Sequence, residues 1–340
     1  MENLPIVEVL DITDNSISNE TTFPSDEYGK FMNLLVKWNL SDSCSSDILQ
    51  FSKSIAREDV ILPTSVKQGR KYLDQLADPY ISFKKVAIMQ YNEEIYHLHY
   101  RQILDAIKEL LSNNDIFEHC IFKFTPLHYQ GQRVYSEQFN GKWWKKTQNT
   151  FPSEANILSI ILYSDATTCD QLGKTSEHPV YLTLGNIPSW RRNKPDAKVL
   201  LCYLPILKAK TNSEKRSKRF LMAKKALFHH AFDIVMCPLL PYKDKGFDLQ
   251  TNNGELWCFP FISTLLGDLP ENATQTLTYS GNGKYPCHKC LIPNEDLNNL
   301  RLSDSQIELR TPEMMKNIVA QGDAHQYSIY NMKNIFWKYP

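Results

Sequence analysis

Residues 157–190 read ILSIILYSDATTCDQLGKTSEHPVYLTLGNIPSW. The run Ile157–Ser164 is almost wholly apolar and ends on a carboxylate, Asp165. A short apolar run of this kind, bounded by polar residues, reads as a central strand buried on both faces. A polar loop follows, then a second strand candidate at Pro179–Leu184 and a third at Ala197–Leu204.

Working outward, Ser213–Met236 carries Phe220, Leu221, Leu227, Phe228, Ala231, Ile234 and Val235 as one apolar stripe, predicting a long helix closed by Pro238. A strand pair is predicted at Gly246–Gln250 and Leu256–Leu266 around the turn Asn252-Asn-Gly254, and it leads into Gly267-Asp268. Three strands, a helix, then a strand delivering an Asp is the opening order of the ribonuclease H-like fold. The expected class is α/β, with a mixed sheet, flanking helices and a mainly helical region before it.

Residues 1–28 hold seven acids and no Lys or Arg, which reads as a disordered acidic tail. Tyr28–Lys37 and Ser45–Ser54 read as short helices. Asn92–Ser112 reads as the clearest helix of the first half, with Asn92 as its N-cap. His119–Thr125 and Gln132–Gln138 have β-like composition, and Gly141–Lys146 reads as an aromatic, basic turn. The expected division is a tail at 1–27, a helical and mixed region at 28–150, the first part of the core at 151–275, and a further segment at 276–340.

Composition bounds the function. The 340 residues suffice for two cores, and a formal net charge of zero excludes a uniformly basic coat. The N-terminus has early acids and no apolar segment, so no secretory signal is expected. No run approaches the ~20 apolar residues of a membrane helix. Eight scattered cysteines without such a signal point to reduced thiols, and to metal binding wherever two lie close.

Three groups of residues could carry chemistry. Asp165 and Asp268 each follow a predicted strand; on neighbouring strands they could hold Mg²⁺ or Mn²⁺ for an in-line phosphoryl displacement. The competing reading is a turn-forming Asp at a strand end. Asp170 competes with Asp165 but falls in the loop. Cys287-His-Lys-Cys290 fits half of a tetrahedral zinc site, with His288 badly placed as a ligand, His325 an alternative, and buried free thiols the competing reading. Between Arg191 and Lys225 twelve Lys or Arg face only Asp196 and Glu214. Arg191, Arg192, Lys194, Lys215, Arg216, Lys218 and Arg219 are the nucleic-acid-binding candidates, against a plain solvated face. Trp190 and Trp143-Trp144 add aromatic groups that could equally be core, and Lys208–Arg219 weakly resembles a nuclear import signal.

The segments SDATTCDQLGKTSEHPVYLTLGNIPSWRRNKPDAKVLLCYLPIL, FPFISTLLGDLPEN and YPCHKCLIPNEDL together closely resemble the Plavaka transposases, CACTA-like cut-and-paste enzymes widespread in fungal genomes. The resemblance runs from about Tyr28 to the C-terminus and is strongest over 157–300. It implies a DDE site using divalent metal, with Asp165 as the first acid and Asp268 the second. It also implies zinc at Cys287 and Cys290 and transposon-end DNA as partner; the import-like segment points to a nuclear location, a cytoplasmic one being the alternative, and a homo-oligomer is left open. The family's third acid matches none of Glu308, Glu313 or Asp323. The resemblance therefore implies a chain truncated at the C-terminus, its core incomplete, and weak or inactive alone. A non-enzymatic DNA-binding remnant and a non-functional fragment are the alternatives.

Overall fold

The computed structural model describes residues 23–38, 40–75, 83–169, 175–251, 254–279, 281 and 283–339. They fall into two compact units that divide near residue 83. The smaller is helical: α1 (Asp26–Lys37), α2 (Asp42–Ile55) and α3 (Val66–Gln75). Tyr28, Phe31, Met32, Leu35, Leu49 and Val66 form its core. The tail expected over 1–27 lies outside the described residues as far as residue 22. Its last residues are already structured: the Ser25 hydroxyl accepts from the Tyr28 N–H, and Asp26 and Glu27 fill a first turn that the helix dipole favours.

The larger unit is built on one sheet of seven strands: β1 (Lys84–Tyr91), β2 (Glu94–Tyr100), β3 (Asn156–Ser164), β4 (Pro179–Leu184), β5 (Val199–Tyr203), β6 (Phe247–Thr251) and β7 (Gly254–Leu266). Their spatial order is β1-β2-β5-β4-β3-β7-β6. The central strand β3 is antiparallel to β4 and parallel to β7, and β4 is antiparallel to β5. The helix α6 (Lys218–Met236) connects β5 to the β6–β7 pair. This is the mixed sheet and crossover of a ribonuclease H-like core.

The period of two along β3 sends Leu158, Ile160 and Leu162 into the main core, with Leu227, Phe228, Ala231 and Phe232 of α6. Ile157 joins a second cluster with Phe259, Phe261, Phe139 and Trp144. The β3–β7 ladder carries a one-residue bulge. Ile262 pairs with Ile160 but Thr264 pairs with Ile161, leaving Ser263 as the extra residue. The Ser263 hydroxyl donates to the Ile160 carbonyl at 3.1 Å and meets Ser159 Oγ at 2.7 Å. Gln138 completes the polar cluster, accepting from Ser159 at 2.5 Å and donating to Thr264 at 3.1 Å. Gly185 makes room for it, since a Cβ there would stand 2.0 Å from the Gln138 Oε1 and 2.5 Å from the Ser159 Oγ.

Several local expectations differ from the structure. Asn92–Ser112 is a β1–β2 hairpin followed by a shorter helix, α4 (Ile103–Ser112). Asn92 and Glu93 form its two-residue turn at φ 48° and 66°, so Asn92 is a turn residue and not a cap. Of the apolar residues read at helical spacing, Ile103, Ile107 and Leu110 do lie in α4, whereas Ile95 and Leu98 sit on opposite faces of β2, one exposed and one buried. His99 and Tyr100 of β2 pair with Tyr203 and Cys202 of β5. The division expected at residue 150 therefore falls inside a single unit. The segment 276–339 belongs to that unit too, with Phe336 packed on Phe232 at 5.4 Å.

His119–Thr125 forms no strand; it is an irregular segment joined to the core by single bonds such as Ile121 N–H to the Asn186 carbonyl, 2.9 Å. Only Gln132–Val134 of the next run pairs, with Leu127–Tyr129. The expected turn at Gly141 opens the helix α5 (Lys142–Gln148), where Trp144 is fully buried. The long helix begins late, because Ser217 is extended and caps α6 through the Phe220 N–H, setting Asn212–Arg216 apart as one short helix.

Candidate active site

The parallel ladder decides where the two strand-end acids stand. Tyr163 pairs with Leu266, and Asp165 and Asp268 each lie two residues further along their own strand. Neighbouring strands run about 4.8 Å apart, so the ladder brings the acids side by side at one end of the sheet. Both line a cavity of about 230 Å³, together with His178, Lys224, Phe228 and Glu271. Asp170 lies outside the described residues.

The first acid is oriented from its own strand. The Tyr163 hydroxyl donates to Asp165 Oδ2 at 3.2 Å, both side chains sharing one face of β3. Burial, that hydrogen bond, and the charges of Asp165 and Asp268 raise the Tyr163 phenol above its ordinary value. One phenol thus feels both carboxylates. The second acid doubles as the N-cap of α7 (Leu269–Thr276), its Oδ1 accepting from the Glu271 N–H at 2.8 Å. The short sequence Asp268-Leu-Pro-Glu271 has the spacing of a capping box. The Glu271 carboxylate turns inward instead, accepting from the Ser164 hydroxyl and lying 3.0 Å from His178 Nε2.

Sequence reasoning named Asp165 and Asp268 and missed Glu271, His178 and Ser164. The available signals were the capping-box spacing and a His set directly before β4. Neither announces a partner about a hundred residues away in the chain.

Cys287 and Cys290 form a compact turn. The Lys289 N–H donates to Cys287 Sγ at 3.4 Å, and Cys290 bridges to Leu309. Arg310 ties the turn down from inside, donating to the carbonyls of Cys287 and Cys290 at 3.0 and 3.2 Å and to those of Tyr285 and Tyr327 at 3.0 Å. Burial raises the Cys287 thiol, but the Lys289 N–H, the Cys290 thiol and N–H, and the Arg310 charge outweigh it and hold Cys287 below its ordinary value. Among the described residues no third His, Cys, Asp or Glu joins the pair. The His325 ring packs edge-on to Tyr279. Two thiols do not fill the four positions of a structural zinc site.

The basic stretch separates into two kinds of residue. Arg191 is only 4% exposed; its guanidinium meets Asp115 at 2.5 Å and Asp196 at 2.9 and 2.7 Å. The Asp196 hydrogen bonds raise its pKa furthest, against the cost of desolvation. Arg192 donates to the Ile187 carbonyl and Ser189 and faces Glu137 at 3.5 Å. Both arginines hold the loop after β4 together, Arg191 buried and Arg192 half-buried. Lys194, Lys215, Arg216, Lys218 and Arg219 remain exposed. Lys215, Arg216, Lys218 and Arg219 cluster around the start of α6, and the Arg219 guanidinium lies 5.4 Å above the Tyr91 ring.

A family model described as Plavaka transposase matches residues 64–339. The chain belongs to that family. The match includes the whole seven-stranded sheet of this Plavaka chain, both strand-end acids and the Cys287–Cys290 turn. No curated protein matches it. No helix among the described residues is long and apolar enough to cross a membrane.

Proposed function

We propose that this Plavaka chain carries a DNA strand-cleaving and strand-joining site of the DDE kind, with Asp165 and Asp268 as its first two acids. The observation that supports the reading is the β3–β7 register, which sets two carboxylates side by side at the rim of one cavity. Their oxygen donors suit Mg²⁺ or Mn²⁺, and Mg²⁺ is commonly held by one or two carboxylates together with substrate phosphates. A divalent cation bound there would polarise the scissile phosphate and activate water or a 3′-hydroxyl. The chain's own contribution is placement: Tyr163 fixes Asp165 from one side, and the cap of α7 fixes Asp268 from the other. Among the described residues no third acid joins the pair in a group able to hold a metal ion, Glu271 being turned to Ser164 and His178. We therefore expect slow turnover, because two carboxylates leave more of a cation's charge unbalanced.

Nicking of supercoiled plasmid by purified protein in Mn²⁺ tests the reading. Activity should be detectable, absent in EDTA, and lost in both Asp165→Asn and Asp268→Asn. Equal nicking by wild type and both variants would overturn the assignment.

A second reading is DNA binding without cleavage, favoured by the four exposed cations Lys215, Arg216, Lys218 and Arg219 around the start of α6. Four phosphate contacts would give a salt slope of about −3.6, or roughly a hundredfold loss of affinity between 50 and 200 mM salt. Charge reversal at Lys215, Arg216 and Arg219 should flatten that slope, while Asp165→Asn should leave it unchanged. Nuclear localisation belongs to the same proposal, with Lys208–Arg219 as the import segment. A fluorescent fusion lacking those charges should lose nuclear enrichment. Zinc at Cys287 and Cys290 would need two further donors, and measuring the zinc released from purified protein tests for it.

A further inference from the structure

Glu271 touches the surroundings of both acids at once. Its N–H donates to Asp268 Oδ1 at 2.8 Å, and its carboxylate receives the hydroxyl of Ser164, the residue immediately before Asp165. His178 Nε2, at the entry to β4, lies 3.0 Å from the same carboxylate oxygen. The pair is shielded, the Glu271 and His178 side chains being 11% and 14% exposed. Phe228 of α6 packs beside the His178 ring at 6.2 Å.

Gly267 makes this path available. A Cβ at that position would stand 2.7 Å from the Glu271 Cγ and 2.8 Å from its Cβ. Any side chain there would push Glu271 off the end of β7 and away from Ser164. The glycine at the strand exit and the inward Glu four residues later are thus one device.

We infer that Glu271 is a positioning residue that ties the end of β3 to the start of α7 and so fixes the separation of Asp165 and Asp268. Its carboxylate is not a third ligand. Ser164 and His178 engage it, and Asp165, Asp268 and Glu271 do not converge as a metal-holding group. The inference rests on the proposed role of Asp165 and Asp268, but the linkage itself can be read without any metal. Groups that hold a metal's ligands in place typically change metal affinity by about 10- to 100-fold when removed.

The test compares Glu271→Ala, Glu271→Gln and Ser164→Ala in the full chain, using Mn²⁺ titration calorimetry and deuterium uptake of the peptides covering 163–168 and 267–270. Glu271→Ala should weaken Mn²⁺ binding about tenfold or more and speed exchange in both peptides. Glu271→Gln, which keeps an oxygen for Ser164, should recover most of both. Ser164→Ala should speed exchange at 163–168, and it decides the question if Glu271→Ala does not fold. Exchange and affinity within about twofold of wild type in folded Glu271→Ala and Ser164→Ala would overturn the inference. If wild type binds no Mn²⁺ yet Glu271→Ala loosens both peptides, the metal reading fails and the positioning role stands.

Discussion

Asp268 carries two roles that substitution can separate. As the N-cap of α7 it satisfies the Glu271 N–H, and as a strand-end acid it faces Asp165 across the sheet end. Replacing an N-cap Asp by Ala costs about 1 kcal/mol. In a unit of this size that lowers the melting temperature by roughly 2–4 °C. Ser and Asn keep an oxygen acceptor and the extended cap backbone, so Asp268→Ser and Asp268→Asn should lose only the favourable charge at the helix start, about 0.3–1 kcal/mol. All three substitutions remove the carboxylate charge. If Asp268 is a metal-binding acid, Mn²⁺ affinity falls together in all three while stability falls most in Asp268→Ala. Thermal unfolding beside calorimetric Mn²⁺ titration reads both quantities on one preparation. Wild-type Mn²⁺ affinity in Asp268→Ser would refute the reasoning and leave Asp268 a capping residue alone.

Three further outcomes are expected. Burial lowers the pKa of His229 to about 4, its Nε2 meeting the Thr274 carbonyl at 3.0 Å while Nδ1 has no partner. The unfolded chain takes up this proton near pH 6.5 and the folded chain only near pH 4. The contribution of His229 to stability should therefore be constant above pH 6.5 and fall by about 3 kcal/mol as pH drops to 4. Urea melts across that range should show the fall, and His229→Gln should flatten it. Arg191→Ala should cost about 2 kcal/mol through its charged hydrogen bonds to Asp115 and Asp196, with DNA affinity unchanged in a binding titration. Glu93→Gly should stabilise the chain by about 0.5–1 kcal/mol, because Glu93 sits at φ 66° in the β1–β2 turn; a urea midpoint below that of wild type would contradict this.

The central strands were legible because β3 and β4 are buried almost throughout, and an uninterrupted apolar run has few other uses. The parallel neighbour of β3 was legible too, from an apolar run ending on a second acid. The β1–β2 hairpin was not, because Ile95 and Leu98 of β2 extend the apolar spacing of α4 backwards by accident, and the turn lacks the glycine that usually marks one. Ser217 reads equally well as a helix residue or a cap, and only the extended backbone there decides. The fate of Arg191 was hidden for a different reason: Asp115, one of its partners, lies 76 positions earlier in the chain. Charge counting along the sequence measures supply, while the fold decides how much of it stays at the surface.

The bulge at Ser263 gives the protein a counting rule. Before it, residues of β7 face β3 partners 102 positions earlier; after it the offset is 103, the interval between Asp165 and Asp268. Length changes in the loop after Asp165, or between β5 and β6, would alter that interval and leave the two acids opposite each other. A single residue gained or lost between Phe259 and Gly267 would shift the second acid by one place and turn it to the other side of the sheet. Among relatives, length variation should therefore collect in the connecting loops, while the few residues leading from the bulge to Asp268 keep a fixed number.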